Sequence, residues 1–152
     1  METITLPLRI RGMLQDLVLY TLREGPLHGY GITYRIYKLL DGAYRPSPGA
    51  LYPALALLRE RGLVKFRQEG RKRVYSLTSE GLKELDKRKD EIEEFIRRIR
   101  ISIKIIREIG IIELLKAIWD VSAKRCDEDL SRETLERARR LVSLAKELIL
   151  KL

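Results

Sequence analysis

Three stretches with apolar residues at helical spacing give way, at Leu63, to an alternation of period two, and this switch constrains the fold more than any other feature of the chain. Over residues 11–23, Met13, Leu14, Leu17, Val18 and Leu22 recur at steps of one, three and four, the stripe of a helix packed on one side. Gly25-Pro26 ends it, because glycine closes a helix and proline does not continue one. Residues 29–40 repeat the pattern with Ile32, Ile36, Leu39 and Leu40, and stop at Asp41-Gly42. Arg45-Pro46-Ser47-Pro48-Gly49 then opens a third helix. Ser47 suits its N-cap, and Pro48 its first position, where the missing N–H costs nothing. Leu51, Leu55 and Leu58 face inward, Pro53 predicts a local kink, and Gly62 closes the helix. Residues 63–69 place Leu63, Lys65 and Arg67 on one strand face and Val64 and Phe66 on the other. Glu69-Gly70-Arg71-Lys72 is the turn, and residues 73–77 return with Val74 and Tyr75.

From Thr78, a suitable N-cap, the chain reads as helix again. Leu82, Leu85, Ile92, Ile96, Ile99, Ile103 and Ile106 follow steps of three and four, with Lys89 in the one gap, as in a heptad seam. A seam of that length needs a partner surface, and a second copy of the chain is expected to supply it through Leu85, Ile92, Ile96, Ile99, Ile103 and Ile106. The competing expectation packs the seam within the monomer against the last helix, which Ile101 and Ile105 would also meet. Gly110 interrupts the seam. Residues 111–122 carry Ile112, Leu115, Ile118 and Trp119, and 124–129 form a polar turn with Cys126. Ser131 caps a last helix bearing Leu135, Ala138, Leu141, Val142, Ala145, Leu148 and Leu152. The expected architecture is mainly α with a small β-hairpin: a helix–helix–helix–hairpin domain over residues 1–80 and a helical, coiled-coil-like dimerisation region over 81–152.

Charge narrows the function. The chain of 152 residues carries a net +9, and +7 of this lies in residues 1–78 against +2 in 79–152. A basic excess concentrated in one half suits a polyanion, most often nucleic acid. One cysteine and one histidine exclude a disulfide framework, four-cysteine zinc sites and the His-rich catalytic constellations. Phosphate-cradling loops and nucleophile–base arrangements are missing too, and acidic pairs such as Glu93-Glu94 read as solvated helix faces, so neither an enzyme nor a cofactor is expected. No apolar run reaches the ~18 residues of a membrane span, and residues 1–10 do not resemble a secretory signal, which makes the cytoplasm the expected compartment.

The order helix, helix, helix, hairpin is the layout of a winged helix-turn-helix, whose third helix enters the major groove. Its leading end is Ser47, Pro48, Gly49, Ala50 and Tyr52: small residues that let backbone approach DNA, and a tyrosine able to meet a base edge, a thymine methyl or a phosphate. A half-buried core tyrosine is the plain alternative for Tyr52. Arg71, Lys72 and Arg73 place cations on the hairpin tip, the part of such a fold that follows the phosphate backbone or dips into the minor groove. Lys65 and Arg67 are expected to extend this basic ridge. A solvated turn that guards an edge strand is the competing role.

Four segments of this chain resemble the PadR family of transcriptional regulators. They are Gly25-Pro26-Leu27-His28-Gly29-Tyr30, then residues 46–55 from Pro46 through Ser47-Pro48-Gly49-Ala50-Leu51-Tyr52, then Arg61-Gly62-Leu63-Val64, then residues 70–81 from Gly70-Arg71-Lys72-Arg73 to Gly81. The resemblance spans roughly residues 10–82. It implies a winged-helix DNA-binding domain, homodimerisation through C-terminal helices and repression of nearby genes, in some members relieved by small aromatic or drug-like ligands. It assigns Ser47, Gly49 and Tyr52 to the recognition helix and Arg71 and Arg73 to the wing, and it matches His28 and Tyr30 to the turn into the second helix. Lys72 stands where the family's wing often has proline. His28 reads as a helix-capping or hydrogen-bonded structural residue, and phosphate contact by His28 and Tyr30 is the alternative. Trp119 reads as a core or interface tryptophan, and the lining of an effector pocket, which the same resemblance implies for some members, is the alternative. The whole reads as a homodimer on an inverted-repeat operator in double-stranded DNA. A winged helix serving protein or RNA is the competing class.

Overall fold

The computed structural model describes residues 12–124 and 132–151. The first stripe becomes α1 (Leu14–Leu22), the second α2 (Gly29–Leu39) and the third α3 (Pro48–Glu60). The alternating segment becomes β2 (Val64–Glu69), which turns through Gly70 and Arg71 into β3 (Lys72–Leu77). Gly70 takes φ +58 at the first position of this two-residue turn, a backbone conformation that glycine adopts without steric cost. α3 runs unbroken through Pro53. Ahead of α2 lies a strand that the periodicity does not predict. β1 (Leu27–His28) pairs antiparallel with β3, Leu27 with Tyr75 and His28 with Val74, giving the order β1-β3-β2. Two residues are too few to display a period, so only the pairing defines this strand.

The three stripes converge on one core. Leu17, Val18, Ile32, Ile36, Leu51, Leu55 and Leu58 are buried there with Val64 and Tyr75. α4 (Ser79–Glu108) is stitched to this domain at its start. Thr78 Oγ1 accepts from the Gly81 N–H at 3.0 Å and donates to the Gly62 carbonyl at 2.6 Å. Gly81 lies so close to the α3–β2 turn that a Cβ there would run into the Leu63 carbonyl oxygen.

The seam of α4 is buried inside its own chain, which corrects the expectation that it forms the interface with a second copy. Leu85, Ile92, Ile96, Ile99 and Ile103 are at most 6% exposed and belong to the same core cluster as α1, and Ile106 packs partly buried against it. Leu82, read as the first seam residue, is exposed instead. The heptad spacing is real, but the chain's own core cluster, α1 among it, supplies the partner surface, and a face covered in this way has little left to offer another molecule. Polar ties follow the same line: Asp16 on α1 meets Arg88 at 2.6 Å and Tyr20 donates to Glu93 at 3.2 Å. Farther along, Arg100 pairs with the Asp41 carboxylate and Arg107 donates to the Asp41 carbonyl.

By packing, α4 therefore belongs with the hairpin domain. The chain divides into compact units Met1–Ile109 and Gly110–Leu152, a boundary well beyond the 80/81 division read from the change of pattern. The second unit holds α5 (Ile111–Lys124) and α6 (Arg132–Ile149), whose apolar side chains Leu114, Leu115, Ile118, Leu141, Val142, Leu144 and Leu148 are all exposed. Residues 1–11, the turn with Cys126, the Ser131 cap and Leu152 lie outside the described residues. Among the described residues, no helix is long and apolar enough to cross a membrane.

Candidate nucleic-acid interface

α3 begins where the sequence places it, with Ser47 as N-cap and Pro48 first, but the cap is made by backbone. The Ser47 carbonyl accepts from Ala50 at 3.0 Å and Leu51 at 2.9 Å, and its side chain makes no capping bond. The hydroxyl is thus left outside the cap on an exposed residue. Pro48 and Gly49 are exposed as well, and Ala50 is half-buried. Tyr52 is 53% exposed, which removes the core reading of this residue. Its ring lies over the first residue of α2, so close that a Cβ on Gly29 would stand 2.9 Å from the Tyr52 hydroxyl. Glycine at position 29 thereby lets the leading ends of α2 and α3 meet.

His28 does not fill the capping role expected of it. It occupies the N-cap of α2 in extended backbone, its side chain makes no capping bond, and its main chain belongs to β1. The ring packs against Gly31 and lies 6.3 Å from the Tyr30 ring.

Arg71, Lys72 and Arg73 are all exposed at the hairpin tip. Arg73 is braced, its guanidinium 4.8 Å above the Phe66 ring, which Arg59 also approaches at 5.6 Å. Among the described residues, Arg71 and Lys72 are in no ion pair. The ridge expected through Lys65 and Arg67 parts from Arg73 and keeps Lys72, which the register sets on their face opposite Glu69. The register sets Gln68 opposite Arg73 and Phe66 opposite Tyr75, so those four share one face of the hairpin and Lys65 and Arg67 point from the other. Arg67 is also held by Glu69 at 2.6 Å. What the fold brings together is smaller: His28, Tyr30, Tyr52, Arg71, Lys72 and Arg73 line one open cavity of about 540 Å³, with Gln68 and Tyr75. Tyr30 and Tyr52 also border a second cavity of about 400 Å³ that Arg45, Pro46, Ser47 and Pro48 line as well. Arg45 and Gln68 carry no periodic or motif signal, so sequence reasoning passes over both. Trp119 is exposed on α5, in the other unit, and other residues line both cavities.

Electrostatically, the assembled surface is cationic and open: an exposed tyrosine and three cations around one depression, with the exposed start of α3 bordering a second. Such a surface suits a polyanion with a groove.

Comparison with known proteins agrees. Residues 18–87, from α1 into the start of α4, match the model of the transcriptional regulator PadR-like family. The chain is 36% identical over 90 residues to the transcriptional regulator YqjI of Escherichia coli strain K12, covering 59% of this chain and 44% of that protein. It is 42% identical over 74 residues to an uncharacterised 37.1 kDa protein of a Streptomyces fradiae transposon, covering 48% of this chain and 21% of that one. The chain thus spans less than half the length of these curated relatives. Among solved structures, a transcriptional regulator from Clostridium thermocellum is 31% identical with a TM-score of 0.50, over 65% of this chain and 91% of its own. With three helices and a wing in the family's order and the family's motifs at α2, α3 and the hairpin, this chain belongs to the PadR-like family of transcriptional regulators.

Proposed function

We propose that the chain binds double-stranded DNA as a homodimer and regulates transcription, as a repressor on an inverted-repeat operator. The observation that carries this reading is the cavity that Tyr52 of α3 shares with the three wing cations, next to a second cavity that Tyr52 shares with Ser47 and Pro48. In this reading α3 lies in the major groove with Ser47, Pro48, Gly49, Ala50 and Tyr52 toward the bases, and Arg71, Lys72 and Arg73 engage the backbone or minor groove. His28 and Tyr30, between them, face a phosphate. Lys65 and Arg67 act only as distant contributors to the field.

Dimerisation is assigned to the unit Gly110–Leu152. Eight exposed large aliphatic side chains on two helices, from Leu114 through Leu135 to Leu148, are more apolar surface than a solvated pair of helices usually shows, and a second copy would cover them. Two chains then present two α3 helices at half-sites about 34 Å apart or a multiple of it. Release by a small aromatic effector near Trp119 is the finer proposal, read out by Trp119 fluorescence on titration with phenolic or cationic compounds.

Selection of bound duplexes from a random pool tests the function. A symmetric site with half-sites spaced by whole helical turns is the expected result. Failure to enrich any duplex, with equal retention of RNA, favours the competing protein- or RNA-interaction module.

A further inference from the structure

The exposed edge of α2 carries a strip that neither the wing nor α3 accounts for. Tyr30 and Tyr34, one helical turn apart, are 64% and 47% exposed, and their rings stack at 6.5 Å with only 7° between planes. A cation stands over each. The Arg45 guanidinium lies 5.5 Å from the Tyr30 centroid and the Lys38 ammonium 5.8 Å from that of Tyr34. The order along the edge is therefore Arg45, Tyr30, Tyr34, Lys38. Arg45 also lines the second cavity with Tyr52 and is not among the residues that line the first with the wing cations.

Two features mark this strip as a binding surface rather than ordinary solvated helix. First, its charge is uncompensated. The two acidic residues nearest in sequence are each engaged elsewhere: Glu24 by Arg35 at 3.2 Å, and Asp41 by Arg100 at 3.2 Å. Among the described residues, neither Lys38 nor Arg45 is in an ion pair. Second, its cations are positioned in advance. A cation held over an aromatic face has given up part of its rotamer freedom before any partner arrives, which lowers the entropic cost of a contact.

We propose that Arg45 and Lys38, seated on Tyr30 and Tyr34, contact DNA phosphates on the side of the α3 groove away from the wing. α3 would then be bracketed by two cationic arms, one on each flank. This inference rests on the DNA-binding reading above and adds a contact surface to it. The occupant is argued from charge complementarity: regularly spaced anions meeting two uncompensated cations on one helix edge.

The test compares salt dependence on a mixed-sequence duplex of about three helical turns, so that no operator need be known. The proteins are the parent, a wing variant (Arg71→Met, Lys72→Met) and a strip variant (Lys38→Met, Arg45→Met). Methionine keeps an aliphatic stem over each ring and removes only the charge. The slope of log K against log salt is expected to fall by about 0.9 per lost contact in the strip variant, with an unchanged thermal midpoint. Lys38→Arg with Arg45→Lys restores the slope. A strip variant with the parental slope, beside a wing variant whose slope has fallen, overturns this inference and leaves DNA binding standing. A parent that shows no salt-dependent binding overturns both.

Discussion

Asp16 shows how a single buried charge depends on its partner. It is 5% exposed, and burial pushes its carboxyl above the usual carboxylate range, although Arg88 at 2.6 Å works in the opposite direction. A folded state that holds this proton more tightly than the unfolded chain loses stability as pH rises above that range. Arg88→Met strands the carboxylate, so a loss of roughly 3 kcal/mol is expected near neutrality in urea denaturation. That deficit should close as pH falls toward the ordinary carboxylate range, because the raised Asp16 carboxyl takes up its proton above that range. Asp16→Asn removes the buried charge and still offers Arg88 an acceptor, and should stay within about 1 kcal/mol of the parent at neutral pH. Gly81 is a steric counterpart. Gly81→Ala drives a methyl into the Leu63 carbonyl and should cost about 3 kcal/mol, measured the same way. Tyr52→Ala should lower affinity for a selected operator by about 1–3 kcal/mol at particular base pairs and leave the salt slope alone.

Elements couple through the loop between α2 and α3. Asp41 is the one non-glycine among the described residues with positive φ, at 49°. α4 holds it from two sides, Arg100 on the carboxylate and Arg107 on the carbonyl. The same loop carries Arg45 and leads into the N-cap of α3, so the far half of α4 helps to set how α3 begins. Arg107→Ala should raise amide exchange at residues 42–45, read by hydrogen-exchange mass spectrometry, while α1 keeps its protection. None of this is legible in the sequence, because Asp41 and Arg107 are 66 positions apart and neither belongs to a repeating pattern. The helices themselves were legible: each carries its own apolar stripe and its own stop signal, and those are local properties. The wing turn was legible for the same reason, since Gly70 sits between two alternating runs.

At the scale of the whole molecule, the question is which apolar surface serves the chain and which serves a partner. Leu141→Arg with Leu148→Arg, both on exposed positions of α6, should convert the proposed dimer to a monomer in light scattering at micromolar concentration while the winged domain keeps its melting transition. Replacement of Ile96 by Arg should instead unfold the winged domain, since that side chain is 6% exposed in its core. The contrast separates the two uses of apolar surface that a heptad pattern alone leaves indistinguishable.

Periodicity, turn chemistry and charge, all readable along the chain, determined the order of helices and hairpin, the cationic wing tip and the position of α3. These depend on neighbours within a few residues, so the linear text contains them. Tertiary structure decided the rest: the strand β1, which exists only because β3 lies beside it; the burial of the α4 seam in the chain's own core; and the faces on which Lys65, Arg67 and Arg73 emerge. It also assembled the Arg45–Tyr30–Tyr34–Lys38 edge. A hydrophobic stripe states that a face will be covered, but what covers it depends on contacts between residues far apart in the chain, and only the folded molecule specifies those.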